Sequence, residues 1–378
     1  MPTELNPAFQ WLRAGDEIFP AMLAAIDAAR QSVCLEVYTF EDSLLGRQFR
    51  EALIRARGRG ARVRVLVDAI GSVLLPNPFW DPLLQAGGEA RVFNALGLRH
   101  VAIRSHRKLL VSDERLAVIG GFNIASAYEG DGVRRGWCDV AMRIDGPPAK
   151  ELAVSFEDMF ARAEFRHKRF MRWRKSGAKK AVTLPAEQIL LSGPGRGRNP
   201  FKKALQQDLA QAKDIRIAIA YFLPMWRLRR ALMRVARRGG RVQLLLAGKS
   251  DVPLAQLAAQ SLYRRLLRSG VEIYEYQPQI LHTKVVLVDD RVYAGSSNLD
   301  VRSLQLNYEL MIRFTDIGVV AGAKEIFEDM LKNCRRITAE EWNRSHSLWQ
   351  GLKRRWAYFL LNRVDRYVTR WQWRALPK

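Results

Sequence analysis

Two stretches carry side chains whose types and spacing could do chemistry together: Ser105-His106-Arg107-Lys108-Leu109-Leu110-Val111-Ser112-Asp113 and Leu281-His282-Thr283-Lys284-Val285-Val286-Leu287-Val288-Asp289. Both read His-x-Lys-x4-Asp. Gly120-Gly121-Phe122-Asn123 follows the first and Gly295-Ser296-Ser297-Asn298 the second. This inventory suits a phosphodiester, which needs a nucleophile, a proton for the leaving alcohol, and cations or donors for its non-bridging oxygens. Two imidazoles can divide the first two tasks because both protonation states are within reach near neutrality. Lys108, Lys284, Asn123 and Asn298 can hold the oxygens. A lone strand histidine is more often structural, but the same spacing twice, in a chain with five histidines, points to function.

Each motif lies on a short apolar run that reads as a buried strand. Side chains two apart share a face, so His and Lys of each copy point the same way, while Asp has the opposite parity and falls near the strand's end. Around each motif, strands alternate with helices, which implies an α/β fold with a mostly parallel sheet. In the first half the pattern predicts helices over 16–29, 43–57 and 80–85 and strands over 32–40, 61–69 and 90–93. In the second half it predicts helices over 204–212 and 226–238 and strands over 215–222 and 241–247. Strand-helix pairs close both halves, from 139 to 163 and from 309 to 332. The chain is a duplicated domain rather than a solenoid of short repeats. Pseudo-twofold pairing of the halves places both motifs beside one cleft.

The 378 residues carry 62 Lys+Arg against 38 Asp+Glu, a net charge of +24, in an otherwise ordinary globular composition. Such a chain seeks polyanions, either nucleic acid or an anionic membrane surface. Cys34, Cys138 and Cys334 have no metal-ligand spacing and make no complete disulfide set. The N-terminus has no basic region followed by an apolar core, so no secretory signal is expected. No apolar run is long enough to span a bilayer. The expected location is the cytoplasm, with room for contact at a membrane surface.

Between the halves, residues 162–180 interleave Arg and Lys with Phe165, Phe170, Met171 and Trp173. A solvated linker and a membrane or nucleic-acid contact are both open there. From Ser347 onward, Leu348, Trp349, Leu352, Trp356, Phe359, Leu360, Val364, Tyr367, Val368 and Trp371 recur at helical steps, with Arg and Lys on the polar side. This pattern fits a helix lying in a membrane interface. A helix docked on the catalytic domains is the alternative.

The paired motif resembles the phospholipase D superfamily. Gly120-Gly121-Phe122-Asn123-Ile124, Gly295-Ser296-Ser297-Asn298-Leu299-Asp300, Tyr221-Phe222-Leu223-Pro224 and Asn307-Tyr308-Glu309 are similar to the bacterial cardiolipin synthases, in particular the short type without N-terminal transmembrane helices. The resemblance spans roughly residues 10–335. It implies duplicated phospholipase D-like domains, each a mixed, mostly parallel sheet flanked by helices, with the active site at the pseudo-twofold interface. The expected divisions are 1–165, a linker over 166–188, a second domain over 189–345 and the tail helix over 346–378. The resemblance further implies a motif of His106, Lys108 and Asp113 with His282, Lys284 and Asp289, in which His106 is the nucleophile and His282 the acid/base. Lys108, Lys284, Asn123, Asn298 and Ser296 would bind phosphate. Asp139 would orient His106 and Glu309 would orient His282, whereas Asp113 and Asp289 would be structural. No metal or cofactor is implied. The implied reaction joins two phosphatidylglycerols into cardiolipin and releases glycerol, at the cytoplasmic face of the inner membrane, with peripheral attachment to anionic phospholipid. Hydrolysis to phosphatidic acid and a nuclease activity are the alternatives; an apolar tail argues against nucleic acid as the partner. The second copy departs in one respect: it is one residue shorter between Asp289 and Gly295 than the first is between Asp113 and Gly120, which should shorten the turn or shift Asn298.

Overall fold

The computed structural model describes residues 8–94, 103–163, 179–195, 197–344 and 348–361. His100, His167, His346, the aromatic residues of the basic linker and the tail beyond 361 lie outside them. The first half runs β1 (Ala8–Arg13), α1 (Ala14–Ala28), β2 (Ser32–Val37), α2 (Leu44–Gly58), β3 (Arg62–Asp68), α3 (Asp81–Gln85), β4 (Glu89–Phe93), β5 (Leu109–Ser112), β6 (Leu116–Gly120), β7 (Val140–Asp145) and α4 (Pro147–Arg162). The second half runs β8 (Lys180–Thr183), β9 (Glu187–Ser192), α5 (Pro200–Asp208), β10 (Asp214–Ile219), α6 (Trp226–Arg237), β11 (Arg241–Ala247), α7 (Pro253–Gln260), α8 (Tyr263–Leu267), β12 (Glu272–Tyr276), β13 (Lys284–Val288), β14 (Arg291–Gly295), α9 (Val301–Gln305), β15 (Glu309–Phe314) and α10 (Ile317–Leu331). β16 (Cys334–Ile337), α11 (Ala339–Arg344) and α12 (Leu348–Phe359) complete it.

The duplication is explicit in the sheets. The first has the order β1-β7-β6-β5-β2-β3-β4, and the second repeats it as β9-β15-β14-β13-β10-β11-β12, with β8 and β16 added at its edges. Both sheets are mixed and flanked by helices, but the expectation of mostly parallel pairing is corrected. Only β2-β3-β4 and β10-β11-β12 run parallel, and every other pairing is antiparallel. The reason is local: each motif strand returns through a tight turn into its neighbour instead of crossing over through a helix. The shorter second copy loses its residue in that turn. Ser112 pairs with Leu116 across three residues, Val288 with Arg291 across two, and Leu109↔Ile119 then matches Val285↔Ala294. Asn298 therefore keeps its register.

Strand alternation divides the core. Val33, Leu35 and Val37 face α1 and α2, as Ile215, Ile217 and Ile219 face α5 and α6. The opposite faces of both sheets, with Phe156 of α4 and Phe327 of α10, form one continuous core between the halves. Trp11 of β1 donates its indole N–H to the Val319 carbonyl of α10 at 3.0 Å, tying the first sheet to the second half. Two matched glycine stops end the helices before β3 and β11: Gly60 at φ +91° and Gly239 at φ +88°, conformations an L side chain resists.

Candidate active site

Both motifs enter the interface through matching backbone bridges. His106 N–H donates to the Tyr308 carbonyl at 3.0 Å and Tyr308 N–H to the Arg104 carbonyl at 2.9 Å. In the other half, His282 N–H donates to the Cys138 carbonyl at 2.8 Å and Cys138 N–H to the Ile280 carbonyl at 2.9 Å. Each motif is thus sewn to the strand that opens the partner half's last strand-helix unit, and the carboxylates follow. Glu309 lies 3.2 Å from His106 Nδ1, and Asp139 lies 2.9 Å from His282 Nδ1. The sequence-based pairing of Asp139 with His106 and Glu309 with His282 is therefore corrected: the pairs cross between halves. A carboxylate acceptor holds the proton on Nδ1 and leaves Nε2 for the reacting atom.

Lys108 Nζ donates to the His106 carbonyl at 2.8 Å, and Lys284 Nζ to the His282 carbonyl at 2.6 Å. Both ammonium groups are fully buried. Burial pushes Lys108 well below the ordinary lysine range and the Lys284 cation adds to that, while burial brings Lys284 down to about 8 against the opposing pull of Asp139 and Glu309. His106 is lowered by burial and then by Lys108. His282 is lowered further, by burial and by Lys284 and Lys108. Asp139 is raised by burial to about 7. The imidazoles and ammonium groups thus lower one another, and the Asp139 and Glu309 carboxylates offset only part of that.

Asn123 sits beside His282: its Oδ1 accepts from Thr39 N–H at 3.1 Å and its Nδ2 donates to Tyr128 Oη at 2.8 Å. Asn298 Oδ1 is buried without a hydrogen-bond partner. Both amides line a cavity of about 640 Å³ that also receives His106 and His282. Ser296 does not line it. Its hydroxyl donates to Glu309 Oε2 at 2.5 Å and its carbonyl accepts from His106 Nδ1 at 3.1 Å, so the phosphate contact expected of Ser296 is replaced by a positioning one. At the matching place a Cβ on Gly121 would lie 2.7 Å from the Asp139 carboxylate, which leaves room only for glycine. Asp113 and Asp289 stand away from the cavity. Each occupies a hairpin turn at positive φ, 51° and 53°. Asp113 accepts from the N–H groups of Arg30, Gln31 and Ser32, and Asp289 from those of Lys213 and Asp214.

Sequence reasoning missed several neighbours. Tyr128 and Trp137 enclose His282, their rings 5.2 and 5.3 Å from its imidazole, and Tyr38 lies 5.2 Å from His106. Nothing in their spacing marks them. A buried charged network beneath His106 was also missed. Asp68 accepts from Ser105 N–H at 2.9 Å and pairs with Arg104 at 3.3 Å, while Glu36 accepts from Ser105 Oγ at 2.7 Å and pairs with Arg107 at 3.2 Å. The same positions in the second half hold Ala247, Leu281, Ile280, Ala218 and Thr283, so the duplication is broken there. Among the described residues, no three His, Cys, Asp or Glu side chains are grouped as metal ligands.

The family model described as "Cardiolipin synthase, PLD-like domain" matches residues 22–161 and 205–331. The chain is 34% identical over 339 residues to cardiolipin synthase B of Salmonella typhi, covering 87% of this chain and 81% of that one. It is 31% identical over 350 residues to cardiolipin synthase 1 of Bacillus anthracis, covering 88% and 67%. Among solved structures, phosphatidylserine synthase of Haemophilus influenzae Rd KW20 superposes with a TM-score of 0.73 at 16% identity, over 95% of this chain and 94% of that one, a likeness of fold.

Proposed function

We propose a two-step phosphatidyl transfer from one premise: the chain belongs to the cardiolipin synthase family of phospholipase D-like proteins. As a member it is a phosphatidyltransferase. In the first step His106 Nε2 attacks the phosphorus of one phosphatidylglycerol, the P–N bond forms, the P–O bond to glycerol breaks, and His282, held as the imidazolium by the bound phosphate anion, gives its Nε2 proton to the departing oxygen. In the second step His282 takes a proton from a hydroxyl of a second phosphatidylglycerol, that oxygen attacks phosphorus, and the P–N bond breaks. Cardiolipin and glycerol are the products, and both histidines return to their starting protonation. Lys108, Lys284, Asn123 and Asn298 hold the non-bridging oxygens. The observation that carries this reading is the crossed pair of carboxylate-held imidazoles facing one cavity.

The same reading includes peripheral attachment to an anionic membrane. Helix α12 docks through Ala357 and Tyr358, with Leu361 just beyond its end, on Leu223, Leu257 and Ala258, and Arg354 stacks 4.5 Å over Trp342. Its other face leaves Trp349, Leu352, Trp356 and Phe359 exposed at helical spacing, with Trp349 65% exposed. Leu361 lines the cavity, and on this reading a bilayer meeting the exposed face supplies the lipid to it. Among the described residues no helix is long and apolar enough to cross a membrane. Purified protein incubated with phosphatidylglycerol vesicles should yield cardiolipin and glycerol by mass spectrometry, and His106→Ala or His282→Ala should yield neither. Phosphatidic acid as the sole product would replace transfer by hydrolysis, and an inert wild-type protein would overturn both.

A further inference from the structure

The cavity is lined by the cations of Arg104 and Arg302 and by the carboxylates of Glu41, Asp251 and Asp300. Arg104, two residues before His106, is buried and held by Asp68, and Arg302 of α9 lines the same cavity. Tyr221 Oη donates to both oxygens of Asp251, at 2.8 and 2.7 Å, and both residues line the cavity with His282. A carboxylate repels phosphate but accepts hydrogen bonds from hydroxyls, and it has more acceptor sites than one phenol can fill. The Lys284 cation already acts on Asp251, which leaves less of its charge for a cationic headgroup.

We propose that Asp251, held by Tyr221, is the subsite for the glycerol hydroxyls of the departing and incoming headgroups. It rests on the transfer reading above and names the part of the site that selects a neutral polyol. The two lysines keep the phosphate at His106; Asp251 gathers the alcohol where His282 exchanges its proton.

The test uses full-length protein and phosphatidylglycerol in mixed micelles, with isotope-labelled glycerol, 1-propanol or ethanolamine as competing acceptors. Propanol matches the carbon skeleton of glycerol without its additional hydroxyls. Wild-type protein should favour glycerol. Asp251→Ala should lower the glycerol-to-propanol ratio about tenfold or more, as loss of a hydrogen bond to a charged acceptor does. Tyr221→Phe should lower it less. Because the readout is a ratio, partial misfolding of a variant does not imitate the effect. An unchanged ratio in Asp251→Ala overturns the subsite, as does a wild-type preference for ethanolamine that this substitution removes. Wild-type protein that transfers to propanol but not to glycerol overturns the subsite alone. Wild-type protein that transfers to no alcohol overturns the proposed function and the subsite with it.

Discussion

His106 and His282 share a motif but not an environment, and the difference can be measured. Glu309 raises the His106 pKa against the lowering caused by burial and Lys108, so Glu309→Gln should move the His106 titration further down and leave that of His282 nearly in place. Histidine NMR titrations would read this, and a shift confined to His282 would restore the uncrossed pairing. Lys284 gives a second observable. With its pKa at about 8 in the empty site, it is protonated below that value and neutral above it. An anion needs the protonated form, so affinity for a non-hydrolysable phosphodiester analogue should fall up to about tenfold per unit above about pH 8, more steeply than below it. Calorimetric titration across pH 6 to 10 would show the break; affinity constant to pH 10 would mean that Lys284 is not the phosphate's partner. At this scale the sequence was informative about identity and silent about partners. The repeat marked His106, Lys108, His282 and Lys284, but which carboxylate serves which histidine depends on a bridge between halves that no local spacing records.

Helix α12 shows how far an amphipathic pattern can be read. The periodicity of Trp349, Leu352, Trp356 and Phe359 described a real face, and that face is exposed. What it did not reveal is the second face, where Ala357 and the stems of Arg354 and Tyr358 make the contact with α7, because small and long polar residues do not register as hydrophobic. The interfacial and docked alternatives are thus compatible in one helix. A truncation would confuse them by uncovering Leu223 and Ala258. Substitution on the exposed face separates them. Trp349→Ala, Trp356→Ala and Phe359→Ala together should leave the melting temperature nearly unchanged, since exposed positions seldom cost more than about 0.5 kcal/mol each. They should weaken sedimentation with phosphatidylglycerol vesicles by at least about tenfold, given roughly 1.5–3 kcal/mol for fully burying a large apolar side chain. Binding by the unsubstituted protein should also decline with salt, as attraction between a basic surface and an anionic bilayer does. Equal sedimentation of variant and parent would remove α12 from the membrane contact.

At the scale of the whole molecule, the duplicated order of helices and strands was legible because periodicity and glycine stops are local signals. The edge strands β1, β8 and β16 and the interior strand β9 were not, since short runs such as Lys180–Thr183 acquire strand geometry only from the sheet they join. Nor was the union of the halves. The inner faces of both sheets, α4 and α10 bury one core, β1 bonds to α10, and the imidazoles of His106 and His282 are each held by the other half's carboxylate. Halves joined in this way have no separate stability to express, so unfolding should be a single calorimetric transition with matching calorimetric and van't Hoff enthalpies. Phe156 of α4 and Phe327 of α10 lie on opposite sides of the duplication within that core. Replacing either by Ala should cost about 3–5 kcal/mol and lower the one melting temperature by roughly 5 °C, given the unfolding entropy of a chain this long. The shared core requires that both substitutions act on the same transition. Two resolved transitions, one responding to Phe156→Ala and the other to Phe327→Ala, would show instead that each half folds alone and that the active site is only their point of contact.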